Sequence, residues 1–361
     1  MSMKFGCSLR LCASAFAIIA STGISAAQSA AGKCHPDGGP VEGQVVFNSS
    51  GGTYGENIER IFFSKFKEEC GVEVLHVTDA RTYAQLQQFV TSGNLPWDIG
   101  GTRLDQEFPL GIADGLFHRL PDGFWSSIEA DMASGSVNEY GAWATPYSDV
   151  LVYSTETFPN GMSSWADFWD VEKFPGARTM QNGPASLVMA LLADGVPASE
   201  IYPLDLDRAF KKMDEIRPHI RSFWTAGDQS VQGIVNGEFV AGTAWNGRVY
   251  SAAKAGKPVG AAWDGALLRI SWNFILKGAP NTRNAEALLY FMQRPELQAE
   301  LAKASGYAGG ANITPYIDET LASSLATSAS HVEVASKVDA EWWAKNNSDV
   351  QAKWDAWMAK Q

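Results

Sequence analysis

The chain has 361 residues, of which 45% are hydrophobic, 19% charged and 11% aromatic, a globular composition that excludes a disordered or collagen-like chain. A net charge of −12 with no basic cluster argues against nucleic acid and anionic lipid as partners. No apolar run is long enough to span a bilayer, so membrane insertion is not expected.

Lys4 and Arg10 form a short basic region, Leu11–Ala20 is a brief apolar stretch, and Ser25-Ala26-Ala27 is a small-residue cleavage site. Residues 1–27 therefore read as a secretory signal. Its removal leaves 334 residues and takes the net charge from −12 to −14 with the loss of Lys4 and Arg10. Two of the four cysteines remain, Cys34 and Cys70, and a lone pair in an exported protein is expected to form a disulfide.

Short apolar runs then alternate with helical periodicity. Gln44–Asn48 reads as a strand, Asn48–Thr53 as a turn, and Ile58, Ile61, Phe62 and Phe66 as one helical face. Val72–Val77 is the next strand, followed by a helix capped within Asp79–Thr82 that turns Tyr83, Leu86, Phe89 and Val90 inward. Trp97–Gly100 is a third strand, and Ala142–Tyr153 a long apolar segment interrupted by Pro146. Beyond it lie the stretches 165–169 and 179–182 and helices over 186–193, 207–213 and 229–235. Strands are expected at 239–244 and 271–276, helices at 285–292 and from Pro295, and a helical tail over 332–360 with Val350, Trp354 and Trp357 on one face. Strand, loop and helix in alternation give parallel βαβ units, an α/β fold. The length suits two lobes, with chain crossings expected near Tyr147–Val150 and Asp264–Arg269.

In such sheets the ligand crevice lies beyond the carboxyl ends of the strands. The loops 49–54, 79–83, 100–103 and 245–248 fall there. None is a nucleotide motif: GxGxxG after a strand and GxxxxGK[ST] are both missing. GxSxG and HExxH are missing too, and the five histidines (His35, His76, His118, His219, His331) stand far apart, which disfavours a histidine-centred base or a metal site. Aromatic residues in crevice loops between two lobes instead suggest a small-molecule clamp.

Several stretches carry a resemblance: "SSGGTYGENIERIFFSKFKEECGVEV", "PWDIGG", "WATPYSDVLVYSTETFPNGMSSWADFWDVEKFPGARTM", "FWTAGDQSVQGIVNGEFVAGTAWNGRV" and "LKGAPNTRNAEALLYFMQRPELQAELAKASGYAGGANITP". In this order they resemble the periplasmic substrate-binding proteins of ABC importers, in the spermidine/putrescine-binding group. The resemblance implies a two-lobed type II periplasmic binding fold, with lobe 1 over 43–148 plus 269–318, lobe 2 over 149–268, and C-terminal helices over 319–361 packing on the lobes. It also implies hinge closure on a ligand, delivery to a membrane permease, a monomer in the periplasm, and neither catalysis, cofactor nor metal.

One departure from that group stands out. Where its polyamine binders carry acidic residues in the return strand, this chain has Arg269 and Ser271. An arginine there suits a carboxylate, sulfonate or phosphonate, although a salt bridge to an acidic neighbour would explain it equally. The expected ligand-binding residues are Thr53, Tyr54, Arg81, Thr102 and Tyr147 from one side and Trp224, Gln229, Trp245 and Arg248 from the other, with Arg269 and Ser271 on the returning strand. The expected ligand is a small organic molecule with an acidic group, with a polyamine as the alternative. An exported enzyme on the same scaffold is a further alternative, and it lacks a reactive constellation in the sequence.

Overall fold

The computed structural model describes residues 34–78 and 81–360; the leader expected at 1–27 lies outside the described residues. The described strands form one mixed sheet in the order β2-β1-β3-β9-β5-β8-β6-β7, with β10 (Ser336–Lys337) beside β9 and β4 (Val137–Asn138) beside β5.

At one end of the sheet, β1 (Gly43–Asn48) pairs in parallel with β2 (Val72–Val77) and β3 (Ile99–Gly101). A helical run over 52–70 joins β1 to β2 and contains a π-helical turn at Glu59–Phe63. Ile58, Ile61, Phe62 and Phe66 on this run are buried against Val45, Phe47 and Phe291 in an aromatic-rich core. The helix Tyr83–Ser92 begins with a full capping box between Thr82 and Gln85, which satisfies backbone donors at its N-terminus. Cys34 and Cys70 form a disulfide that ties the start of the described chain to the end of the first helical run.

At the other end, β8 (Ala241–Trp245), β6 (Arg178–Gln181) and β7 (Ile220–Trp224) run parallel to one another. Helices Ser186–Ala193 and Leu206–Ile216 cover one face together with Trp343, Val350, Trp354 and Trp357 of the C-terminal helix Ala340–Met358. The three indoles do not sit in a purely apolar core. Their N–H groups donate to Tyr202 Oη, Asn182 Oδ1 and Asp214 Oδ1, so each buries its ring without stranding a donor.

Two long antiparallel strands cross between these ends: β5 (Gly141–Ser154) and β9 (Val259–Ile275). They pair Tyr147 with Arg269 and Asp149 with Leu267, so the two expected crossings face one another in the sheet. The register is broken twice. Ala144 bulges between Trp143 and Thr145, and β9 residues 263–266 loop out opposite Val150. Such bulges bend and re-aim strands, and here both flank the segment where the chain passes from one half to the other.

Three of the elements that differ from the sequence reading show why it fell short. β9 spans 17 residues rather than the expected 271–276, because pairing with β5 on both sides of the 263–266 irregularity, through Gly260 at one end, extends the strand. β7 (Ile220–Trp224) has no alternating signature, since Arg221 and Ser222 are both exposed; its pairing with β6 makes it a strand. The tail is divided: Ala329–Val334 is a short helix, Ser336–Lys337 is β10 beside β9, and the long helix starts at Ala340, capped by Asp339.

Candidate functional site

The carboxyl ends of β1, β3 and β8 meet over the middle of β5 and β9 around a cavity of about 180 Å3. Phe47, Ser49, Ser50 and Tyr54 line it from the β1 loop and the helix after it, and Gly101, Thr102 and Arg103 from the loop after β3. The crossing strands contribute Ala144, Thr145, Tyr147, Ser271 and Asn273. Trp245, Arg248 and Tyr307 close it from the opposite side. A second cavity of about 420 Å3 lies behind the crossing strands, but Pro146, Leu268, Ile270 and small residues line most of it, without converging charged groups apart from Lys337. The front cavity, with polar groups arriving from three directions, fits a solute site better.

Local sequence explains how the front cavity is built. Asn246 and Gly247 open the helix Asn246–Lys254 directly after β8. Asn246 Oδ1 accepts the backbone N–H of Ser148 at 3.0 Å, which pins this loop to β5. A Cβ on Gly247 would overlap the Tyr307 ring, so the glycine is what lets Tyr307 approach and complete the wall. Thr102 exchanges hydrogen bonds with the Trp272 backbone, donating its N–H at 2.8 Å and accepting at Oγ1 at 3.0 Å, which ties the β3 loop to β9. Tyr54 Oη and Thr145 Oγ1 lie 3.0 Å apart and join the first helical run to β5. Burial raises the phenols of Tyr54, Tyr147 and Tyr307 above their ordinary value, so all three stay protonated and offer O–H donors as well as ring faces.

Six of the expected residues line the cavity: Tyr54, Thr102, Tyr147, Trp245, Arg248 and Ser271. Five do not. Thr53 is exposed at the helix start. Arg81 is turned inward, bonded to both oxygens of Glu107 at 3.1 and 3.3 Å and to the Gly101 carbonyl at 3.2 Å. Trp224 is buried, its indole N–H donating to the Thr243 carbonyl at 2.9 Å and its ring meeting Trp245 edge to face. Gln229 folds back to accept the Thr225 and Ala226 backbone N–H groups. Arg269 is the most consequential of the five. Its guanidinium grips Asp105 at 2.6 and 2.9 Å and Asp149 at 3.2 Å and lies over the Tyr147 ring. The chain's own carboxylates therefore occupy the group that pointed to an anionic ligand. Burial alone would lower the Arg269 pKa; the charges of Asp105 and Asp149 outweigh it and hold the value well above normal.

Arg248 is placed differently. It faces the cavity with 17% of its side chain exposed, and its ion-pair contact is a long one, 3.5 Å from Nε to the exposed Asp228. Arg103, outside the sequence expectations, also lines the cavity and donates to Asn48 Oδ1, the Ser49 carbonyl and Ser50 Oγ at 3.0–3.2 Å. Its position directly after Gly100-Gly101-Thr102 in a crevice loop was the available signal. Tyr307 and Asn273 gave none, because each depends on contacts far away in sequence. Among the described lining residues there is no aspartate or glutamate.

A further grouping crosses the spacing that had argued against a histidine-centred site. His76 on β2 has Nε2 2.8 Å from Ser49 Oγ and Nδ1 2.6 Å from Glu59 Oε1.

Similarity to known proteins agrees with this architecture. The chain is 31% identical over 319 residues to a gamma-aminobutyric acid-binding protein of Pseudomonas aeruginosa, covering 86% of this chain and 90% of that one. It is 24% identical over 253 residues to the spermidine/putrescine-binding periplasmic protein of Escherichia coli, covering 67% of this chain and 72% of that one. A solved ABC transporter substrate-binding protein from Bradyrhizobium japonicum superimposes with a TM-score of 0.80 at 34% identity, covering 88% of this chain and 99% of that one. The family and fold are those of transport proteins rather than enzymes. Residues 62–315 match the family described as Bacterial extracellular solute-binding protein, and the chain belongs to that family as the substrate-binding component of an ABC transporter.

Proposed function

We propose that the chain captures a short zwitterionic solute, an amino acid of the 4-aminobutyrate type, in the front cavity and delivers it to a permease. The observation that carries this reading is the lining itself. Arg248 and Arg103 face the cavity and no carboxylate does so among the described residues. A polyamine needs anionic partners, whereas a carboxylate is gripped by a guanidinium through short, charge-assisted bonds. The ammonium end would rest against the rings of Tyr54, Tyr147, Trp245 and Tyr307, which attract a cation without carrying charge. The name of the Pseudomonas relative, a gamma-aminobutyric acid-binding protein, supports the same class.

Lobe 1 over 43–148 plus 269–318 and lobe 2 over 149–268 would close about β5 and β9, where both register breaks lie. The C-terminal segment 319–361 would brace the second lobe through its buried indoles. In this reading the chain is a periplasmic monomer released from a signal at 1–27.

Thermal shift with 4-aminobutyrate, butyrate, putrescine and spermidine tests the ligand class. At a hundredfold excess over Kd, a ligand specific to the folded state stabilises by about 2.7 kcal/mol, enough to move the melting temperature by several degrees. Stabilisation by 4-aminobutyrate and not by putrescine is expected. Stabilisation by the polyamines alone defeats the reading.

A further inference from the structure

We propose that Ser49 is an activated nucleophile, with His76 as its base and Glu59 as the residue that positions His76, able to cleave a small ester or lactone held in the cavity. The reaction would release a carboxylic acid, the same class as the proposed cargo, so the inference extends that reading while standing on different residues.

Three separate parts of the chain assemble the group. Parallel pairing of β1 with β2 sets Phe47 opposite His76 and Asn48 opposite Val77, so the strand delivers Ser49 beside the His76 side chain. The Ser49 N–H still donates to the Val77 carbonyl at 3.2 Å, which fixes the backbone where the strand gives way to the turn before the first helical run. Glu59 comes from the π-helical turn at Glu59–Phe63, a departure from regular helix of the kind often found at functional positions.

The hydrogen bonds have a direction. A carboxylate can only accept, so Glu59 at 2.6 Å holds the proton on His76 Nδ1. Nε2 is then the basic nitrogen, 2.8 Å from Ser49 Oγ. The competing acceptor for the hydroxyl proton, the Ser50 carbonyl, is farther away at 3.2 Å. The imidazole is nearly enclosed, with 7% of its side chain exposed, and rests edge-on against Phe63. Ser49 itself is among the residues that line the cavity. Nucleophile, base and orienting acid stand in the order that acyl-transfer sites use on unrelated folds. A pair that merely fastened the helix to β2 would need only His76 and Glu59.

In the first step Ser49 Oγ attacks the carbonyl carbon while His76 Nε2 takes its proton. Negative charge gathers on the carbonyl oxygen beside the Arg103 guanidinium, which lies 3.2 Å from both the Ser49 carbonyl and Ser50 Oγ. The C–O bond to the leaving alcohol breaks as His76 returns the proton to it, leaving an acyl ester on Ser49. Water then attacks that ester with His76 again taking a proton, the acid departs, and Ser49 recovers its hydroxyl.

The test is covalent labelling of the full mature chain with a fluorophosphonate, read by intact and peptide mass spectrometry, together with hydrolysis of p-nitrophenyl acetate. One adduct per chain on Ser49 is expected, with ester cleavage about 10²-fold or more above Ser49→Ala and His76→Gln. Glu59→Ala should slow labelling about tenfold while leaving the affinity for 4-aminobutyrate unchanged, a split that loss of fold would not produce. Melting curves identify any variant that fails to fold, and Ser49→Ala, the smallest change, remains the deciding one. Absence of an adduct on Ser49, an adduct elsewhere, or equal hydrolysis by wild type and Ser49→Ala overturns the proposal. Because labelling does not depend on which solute the cavity prefers, its failure leaves the transport reading intact, and failure of the solute screen leaves the labelling result standing.

Discussion

Arg269 and Arg248 are the same residue type, placed on a crossing strand and in the first turn of the helix Asn246–Lys254, and they do opposite work. Arg269 holds Asp105 and Asp149 through three hydrogen bonds, and its side chain is 10% exposed. Arg248 faces the cavity, and its carboxylate contact is long and lies at the protein surface. Arg81, with Glu107, belongs with the first kind. What separates them is whether the chain supplies a buried carboxylate, and for Arg269 those lie 164 and 120 residues away. A guanidinium already saturated organises the crossing strands, whereas one held only by a screened surface partner can take a ligand.

Removing each arginine should separate the two roles. Arg269→Ala leaves Asp105 and Asp149 facing each other without their cation. Loss of one partner from a buried ion pair costs about 3–5 kcal/mol, so urea denaturation should show a loss of that size. Arg248→Ala breaks only a surface pair, and stability should change by less than about 1 kcal/mol. Its effect should appear in binding instead. A hydrogen bond to a charged group contributes roughly 1.5–3 kcal/mol, so titration calorimetry should show a 10- to 150-fold weaker affinity for an amino-acid cargo. The comparison breaks if Arg248→Ala unfolds the chain, or if Arg269→Ala weakens binding without touching stability.

The same contrast explains what the sequence disclosed. Period and turn chemistry placed β1, β2, β3 and the first helices correctly, because their signals are local: apolar faces, the Thr82 cap and loop glycines. β9 was only partly readable, because most of it is a strand through pairing with β5 and, at Leu267 and Leu268, with β10. At the cavity, residues in strand-end loops such as Thr102, Trp245 and Arg248 could be placed from position alone. Arg269 could not be assigned, because nothing near it in sequence announces Asp105 or Asp149. Nor could the contact between Ser49 and His76, which exists only because one parallel register brings residues 27 positions apart side by side.

The smallest effect concerns how fully Arg269 is saturated. Burial pushes Asp149 up to about 6 even though Arg269 and the Trp245 indole pull it down, because Asp105 takes the shorter bonds to the guanidinium. A carboxyl whose folded value lies above its unfolded one, about 3.8, binds its proton more tightly in the folded chain. Its contribution to stability is therefore complete below about pH 4 and is lost as pH rises through about 6. Glu286 works in the opposite sense and in a different window. Burial would raise it, but its hydrogen bonds to His118 and His35 hold it at about 2, so its stabilisation is present above about 4.5 and fades toward pH 2. Urea denaturation between pH 4 and 7 should thus show stability declining with pH in wild type and nearly level in Asp149→Asn. Arg269→Ala should steepen that decline, because Asp149 loses the one charge favouring its ionised form. If the slope between pH 4 and 7 is instead unchanged by Asp149→Asn, the carboxylate is fully neutralised by Arg269, and the crossing strands hold a closed ion pair with nothing left to titrate.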